Sequence, residues 1–569
     1  MKIRLHFVVI LVSVILLVIP TGTNTFARQS EPVTLYDSVL TDDALPLEAL
    51  DPHKGYFGED LFLGLTNVDP ASGSIIPELA IGWEVSDEGR VWTFTLRDDV
   101  SWVRWDPATG EATLLRTVTA HDVVYGIQRA CDPRTDAGYR FVIEGLITGC
   151  RALATRPVHQ VTDADYDLVQ ARALDDTTLE IHLQHAAGYF LTLSGNPLLR
   201  ALPREVIEEY GNDWTQPGTI VTNGPFVLDE WRDGWGWTLG RNPYLPADVR
   251  GPGNVERVVI THMDSYEAAF QAYMTNQLDL ALVPPQRYEE LWDDSTLADQ
   301  INYYYRAASN YYAFASDKAP FDNVHVRRAF SAALDREQWC SDIYGVHSSC
   351  APMIHFTPPG VFGAPPIDEV GVGFDPDYAR EQLALAGYPE CKGFPEIHAV
   401  TEEGLGFIFT YLADQLADVL GCDPGLWHVE EVANDISRAD PRAPEEDRPH
   451  MWINAWIADY PDANSFMSDV LYCNTWNEFK RPCTEVDDLI DQAAAASDPL
   501  VRNDLYRDIE ERFFGPEGEF PIIPVHTGIL WLLAKPWVER SPGGMRWAGS
   551  LYYDWYTIDQ AAQVAARGE

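Results

Sequence analysis

Positive charge is scarce in this sequence: 40 Lys and Arg stand against 87 Asp and Glu, a formal net charge of -47 over 569 residues. Nucleic acid phosphates and anionic membrane surfaces would be repelled, which excludes nucleic acid as a partner. The surplus reads as a solvated acidic coat that keeps the chain monomeric and soluble. No CxxC occurs and no His stands at ligand spacing to a cysteine pair, so no metal centre is expected and nothing calls for a cofactor. The GxSxG elbow and the HExxH helix are also missing, and with them two common hydrolase signatures. There is no internal repeat and no low-complexity tract, and beyond residues 5–20 no run is long and apolar enough to cross a bilayer.

What is present points to an exported protein of several domains. The 46% apolar and 12% aromatic content can fill several cores, and 569 residues exceed what one core organises, so two or three domains are expected. Residues 1–27 have the layout of an export signal: Lys2 and Arg4, the apolar run from Leu5 to Pro20, then Thr25-Phe26-Ala27 as a small-residue cleavage site. An uncleaved segment acting as a tether is the alternative. The eight cysteines fall in neighbouring couples, and short loops favour pairing Cys131 with Cys150, Cys340 with Cys350, Cys391 with Cys422 and Cys473 with Cys483.

Local patterns place the elements. Trp83–Ser86 and Val91–Leu96 read as a hairpin about Asp87-Glu88-Gly89-Arg90, and Thr119 with Asp122 forms a capping box before a helix carrying Val123, Val124 and Ile127 inside. Val255–Met263, Tyr266–Asn276 and Leu278–Leu282 read as strand, helix, strand, the order of an α/β crossover. Helices are expected at Val324–Leu334, after Asp375-Pro376, and over Phe409–Leu420, Leu489–Ala495 and Val501–Phe513. Pro521–Val525 reads as a strand boxed by prolines. Asp163, Asp165 and Asp167 imitate the start of a calcium loop, but Leu168 and Leu174 occupy its Gly and Glu positions, so the stretch reads as a polar loop.

The chain is organised around Met451–Phe466. Met451–Ile457 is a strand-length apolar run, and Pro461, with no N–H to give, ends it and leaves Asp459 at its mouth. A carboxylate so placed is desolvated on one side and seeks a cation; capping of the following turn, with Asp462 and Asn464, is the alternative.

Motifs along the whole mature chain carry a resemblance. They are Pro77-Glu78-Leu79-Ala80, Trp83-Glu84-Val85-Ser86, Trp92–Arg97, Asp99-Val100-Ser101-Trp102, Thr119–Tyr125, Asn223-Gly224-Pro225-Phe226, Ala319–Ala329 and Trp456–Pro461. In this order they resemble the extracellular solute-binding proteins of peptide-importing ABC transporters. The resemblance implies an α/β, two-lobed flytrap of the type II periplasmic-binding-protein class. Its first lobe would comprise residues 28–57, 187–305 and 518–569, with an additional α+β domain inserted at 58–186, and its second lobe residues 306–517. It further implies a peptide ligand held as an added strand between lobes, its amino terminus on Asp459, and membrane permease subunits as partners at the outer face of the cytoplasmic membrane or in the periplasm. Trp456, Ile457 and Tyr460 flank that anchor, and Tyr311 and Tyr312 are candidates for the cleft lining, with strand packing as the alternative.

One departure stands out. Where some oligopeptide binders carry an Arg before this Asp, the strand reads Trp452-Ile453-Asn454-Ala455-Trp456, so the partner of a ligand carboxylate is unassigned; Arg438, Arg442 and Arg448 upstream read as a solvated face. Two further readings stay open. One keeps the fold with another cargo, an oligosaccharide, a nickel complex or haem; the other is a secreted hydrolase using Asp459 with Asp462 or Glu478.

Overall fold

The computed structural model describes residues 31–41, 46–55, 57–69, 74–346, 348–433, 440, 442–474, 477–539 and 551–568. The expected signal, residues 1–27, and Arg438 lie outside them.

Phe226–Arg232, Gly236–Arg241 and Arg257–Met263 are antiparallel neighbours, and Thr34–Leu40 lies parallel to the last of them. The turn of the first pair depends on glycine. Gly236 sits at φ 128°, and a Cβ there would stand 2.0 Å from the Ile260 carbonyl oxygen.

Residues 80–182 build a sheet of their own, in the order Ala80–Ser86, Val91–Leu96, Thr178–His182, Ala171–Ala173, all antiparallel. Alternation along Val91–Leu96 buries Trp92, Phe94 and Leu96 on one face. The helix Ala120–Cys131 opens on the Thr119–Asp122 capping box and ends at the Cys131–Cys150 disulfide. Asp163–Leu168 is a short helix in which Asp165 closes a second capping box with Thr162, so local capping accounts for the acidic spacing there.

The largest sheet has eight strands. Its order is Leu280–Leu282, Ile522–Ala534, Ala308–Phe314, Met451–Ile457, Ile397–Glu402, Trp427–Val432. The 13-residue strand Ile522–Ala534 pairs through its first half with Ala308–Phe314 and Cys350–Pro352, and through its second half with Ile301–Tyr305 and Leu280–Leu282. It therefore runs on well past the Pro521–Val525 expected from the prolines. Pro524 stands opposite Tyr311, where the register slips between Asn310 and Tyr311, so its missing N–H falls at an irregularity instead of ending the strand.

Both faces of this sheet are covered. Along Ala308–Phe314, Tyr312 and Phe314 enter one core with the helix Gly406–Leu420, while Tyr311 and Ala313 enter another with Phe466, Tyr506 and Phe513. Three more disulfides, Cys340–Cys350, Cys391–Cys422 and Cys473–Cys483, tie short loops.

Candidate functional site

The sheet opens as a fork at one strand. Met451–Ile457 pairs along its whole length with Ala308–Phe314, but on its other side only Ala399 and Val400 meet it, opposite Met451 and Trp452. From there Ile397–Glu402 stays with Trp427–Val432 as far as Glu402. Residues 453–457 consequently present a strand edge with no strand partner among the described residues, and unpaired N–H and C=O groups on such an edge are a template for another strand. The Ala455 N–H is met meanwhile by Oδ1 of the adjacent Asn454 at 2.8 Å.

This edge leads to Asp459. The strand stops at Ile457, the Ala458 N–H donates to the Ala307 carbonyl at 2.8 Å, and the chain turns through Pro461. Ser465 fixes the turn: its Oγ accepts from the Asp459 N–H at 3.1 Å and from Trp456 Nε1 at 3.3 Å. The Asp459 carboxylate itself has no hydrogen bond or ion pair among the described residues, and burial pushes its pKa up to about 6.

A second carboxylate stands beside it. Asp469 lies on the π-helical turn Met467–Leu471, accepts from Tyr460 Oη at 3.1 Å and from the Ser465 hydroxyl, and is pushed up to about 8, by burial first and then by the charge of Asp459. No cation pairs with either among the described residues. The third acid of the turn is different: Asp462 is fully buried, accepts from Arg502 Nη2 at 2.6 Å on both oxygens, and receives the Tyr506 hydroxyl at 3.1 Å.

The other residues singled out from the sequence divide between edge and scaffold. Ile457 is 68% exposed on the free edge and Trp456 is half-buried beside it. Tyr460 is buried: it stacks on Tyr189 at 5.4 Å, and its hydroxyl is held between Asn464 and Asp469. That stack, with the Gly188 N–H donating to the Ala494 carbonyl at 2.6 Å, brings residues 188–192 against the turn. Tyr311 and Tyr312 are packed strand residues whose rims reach a cavity. Tyr311 Oη bonds Glu478 Oε1 at 3.3 Å, and Tyr312 Oη donates to the Ile408 carbonyl at 3.0 Å.

The cavity fills the fork and has a volume of about 350 Å³, within the range of small-ligand pockets. Sequence reasoning missed most of its wall, and it missed Asp469 and Ser465 as well. The wall draws on six separate segments and the two turn residues on a seventh, and no spacing marks them. Cys473, Cys483 and Asp487 also lie close together, but the two sulfurs are joined in a disulfide and offer no thiolate to a metal.

Residues 74–478 match the family model described as bacterial extracellular solute-binding proteins, family 5 Middle. The chain belongs to this family. Among its relatives, the probable deoxycholate-binding periplasmic protein YgiS of Escherichia coli K12 is 28% identical over 85% of each chain. The periplasmic oligopeptide-binding protein OppA of Salmonella typhimurium LT2 is 26% identical over 92% of each. Among solved structures, the unliganded open form of the murein tripeptide-binding protein MppA superposes with a TM-score of 0.76 at 24% identity, covering 93% of this chain and 98% of that one. The fold is thus the two-lobed α/β flytrap of type II periplasmic binding proteins.

Proposed function

We propose that this protein is the extracytoplasmic cargo-binding component of an ABC importer and that its cargo is a peptide. The peptide lies as an added strand along residues 453–457, with its amino terminus on Asp459. Backbone pairing along a strand edge needs no particular side-chain sequence, because every residue but proline offers the same donor and acceptor. A buried ammonium-to-carboxylate contact then fixes the register.

The observation that carries the reading is the contrast within one turn. Asp462 has its cation in Arg502, whereas Asp459 and Asp469 have none among the described residues and stand at the end of the unpaired edge. The oligopeptide binding named for the OppA relative supports the same cargo. Deoxycholate, named for the YgiS relative, is an anion and would find no cation at Asp459 or Asp469 among the described residues. The protein does no chemistry in this reading: cargo shifts it from an open to a closed form, and the closed monomer docks on permease subunits outside the cytoplasmic membrane. Calorimetry with a free-amine tripeptide and its N-acetylated form tests the proposal. Binding of the first and loss of the second are expected; equal binding of both would remove Asp459 as the anchor.

A further inference from the structure

The fork cavity has a chemical character of its own. Trp339, Tyr344, Leu405 and Ile408 give it an aromatic and aliphatic wall. Among the described residues that line it the only charged side chain is that of Glu402, which is exposed at the mouth, and none is Lys or Arg. Just behind the wall, Glu478 holds Tyr311 Oη and Asn454 Nδ2, and burial raises its pKa. His526 lines the cavity as well. It is 5% exposed, its Nδ1 has no hydrogen-bond partner among the described residues, and it packs between Trp339 and Tyr344 at ring separations of 4.9 and 5.4 Å. Burial lowers its pKa to about 4, so at neutral pH it brings no positive charge.

Distance ties this cavity to the anchor. Ala455 lines it, and the four residues from there to Asp459 span roughly 13 Å at about 3.3 Å per residue, the reach of three or four residues of extended peptide. A ligand with its ammonium at Asp459 therefore places its third or fourth residue in the fork. A carboxylate there would meet an acid at the mouth, a second acid behind the wall and no compensating cation among the described residues, and a charge stranded in that way is costly to desolvate.

We infer that the fork cavity is a specificity pocket for an apolar or aromatic group at the third or fourth position of a cargo that carries no free carboxylate at that point. Its preferred ligands are peptides amidated at that position, which are cationic, or longer ones that continue through it and carry their carboxylate elsewhere. The inference rests on the peptide reading above and sharpens it to a class of peptide.

The test is calorimetry at pH 7 with three synthetic tripeptides: Ala-Leu-Phe amide, Ala-Leu-Phe free acid and N-acetyl-Ala-Leu-Phe amide. The amide is expected to bind about tenfold or more tighter than the free acid, and the acetylated amide not at all. In Glu402→Lys, an exposed position where folding is not at risk, the gap between amide and acid should shrink or invert. Free acid binding as tightly as the amide to the unmodified protein would overturn the pocket assignment while leaving the peptide reading intact. Absence of binding by all three would overturn both, and unchanged selectivity in Glu402→Lys would overturn the electrostatic basis of the pocket's preference.

Discussion

Asp459 and Asp462 are three residues apart on one turn, and the structure treats them in opposite ways. Asp462 is sealed, with Arg502 across both oxygens, the Tyr506 hydroxyl, the Asn464 N–H at 3.0 Å and the Thr192 hydroxyl at 3.4 Å around it. Asp459 has only its backbone N–H engaged, through Ser465, while its carboxylate is desolvated without a partner. Asp462 is thus structural, its cation supplied by the fold, while Asp459, from which the fold withholds one, is the ligand anchor in the reading proposed above. The contrast also separates two kinds of damage, one to stability and one to binding.

Breaking the sealed side should have the largest effect. Asp462→Ala strands the guanidinium of Arg502, which also stacks on Phe362 at 4.8 Å, and uncompensated buried charges of this kind cost ~3–5 kcal/mol of stability. Chemical denaturation should show the loss. Arg502→Met should lose comparable stability by stranding the acid instead. If both variants unfolded like the parent, the sealed pair would not be holding the turn.

Asp459→Ala should do the converse. It removes an acid that is strained in the ligand-free protein, so stability should hold or rise, while binding of a free-amine peptide weakens by ~2–5 kcal/mol. A variant with full affinity would dissolve the contrast between the two acids.

Asp469 sharpens the contrast through pH. Its folded pKa of about 8 and that of Asp459, about 6, both lie above the ordinary carboxylate value near 4, so between about pH 4 and 8 the folded protein holds protons that the unfolded chain has released. This part of the stability is present at low pH and drains away as pH rises through that window. Melting temperatures of the ligand-free protein from pH 5 to 8.5 should fall more steeply than those of Asp469→Asn. Binding of an ammonium favours the ionised acids, so calorimetry near neutral pH in buffers of different ionisation enthalpy should record proton release, reduced in Asp469→Asn. No release from the unmodified protein would exclude the pair as ammonium ligands.

Much of the scaffold was legible because local rules and tertiary structure agree. The Thr119–Asp122 box, the hairpin at Asp87–Gly89 and the stop of Met451–Ile457 ahead of Pro461 depend on residues close in sequence. Pro524 misled because a proline is tolerated where the register slips, and a slip depends on the neighbouring strand. Asp459 could be picked out because Pro461 marks the strand end. Asp469 could not, since no turn residue marks it in Met467–Leu471 and only the chain folding back over Tyr460 sets it beside Asp459. The fork is the clearest case of information absent from the linear chain. It arises because Ile397–Glu402 pairs with Met451–Ile457 at just two residues, a register decision made among three strands.

The smallest effect should come from Ser465, which acts on the acids through their geometry. A hydroxyl has two lone pairs and one hydrogen, and in this turn all three are used: the Asp459 N–H and Trp456 Nε1 donate to Oγ, and its own hydrogen goes to Asp469. Ser465→Ala leaves the two donors unmatched and takes one donor from Asp469, so that acid should hold its proton more strongly. The expected loss is about 1 kcal/mol of ligand binding, near the net worth of one hydrogen bond. A packing defect alone would lower affinity equally at every pH. Loss of a positioning hydroxyl should instead weaken binding most at pH 6, where Asp469 is hardest to ionise, and least at pH 8.5. Titrations at those two values, with the free-amine tripeptide, decide between them.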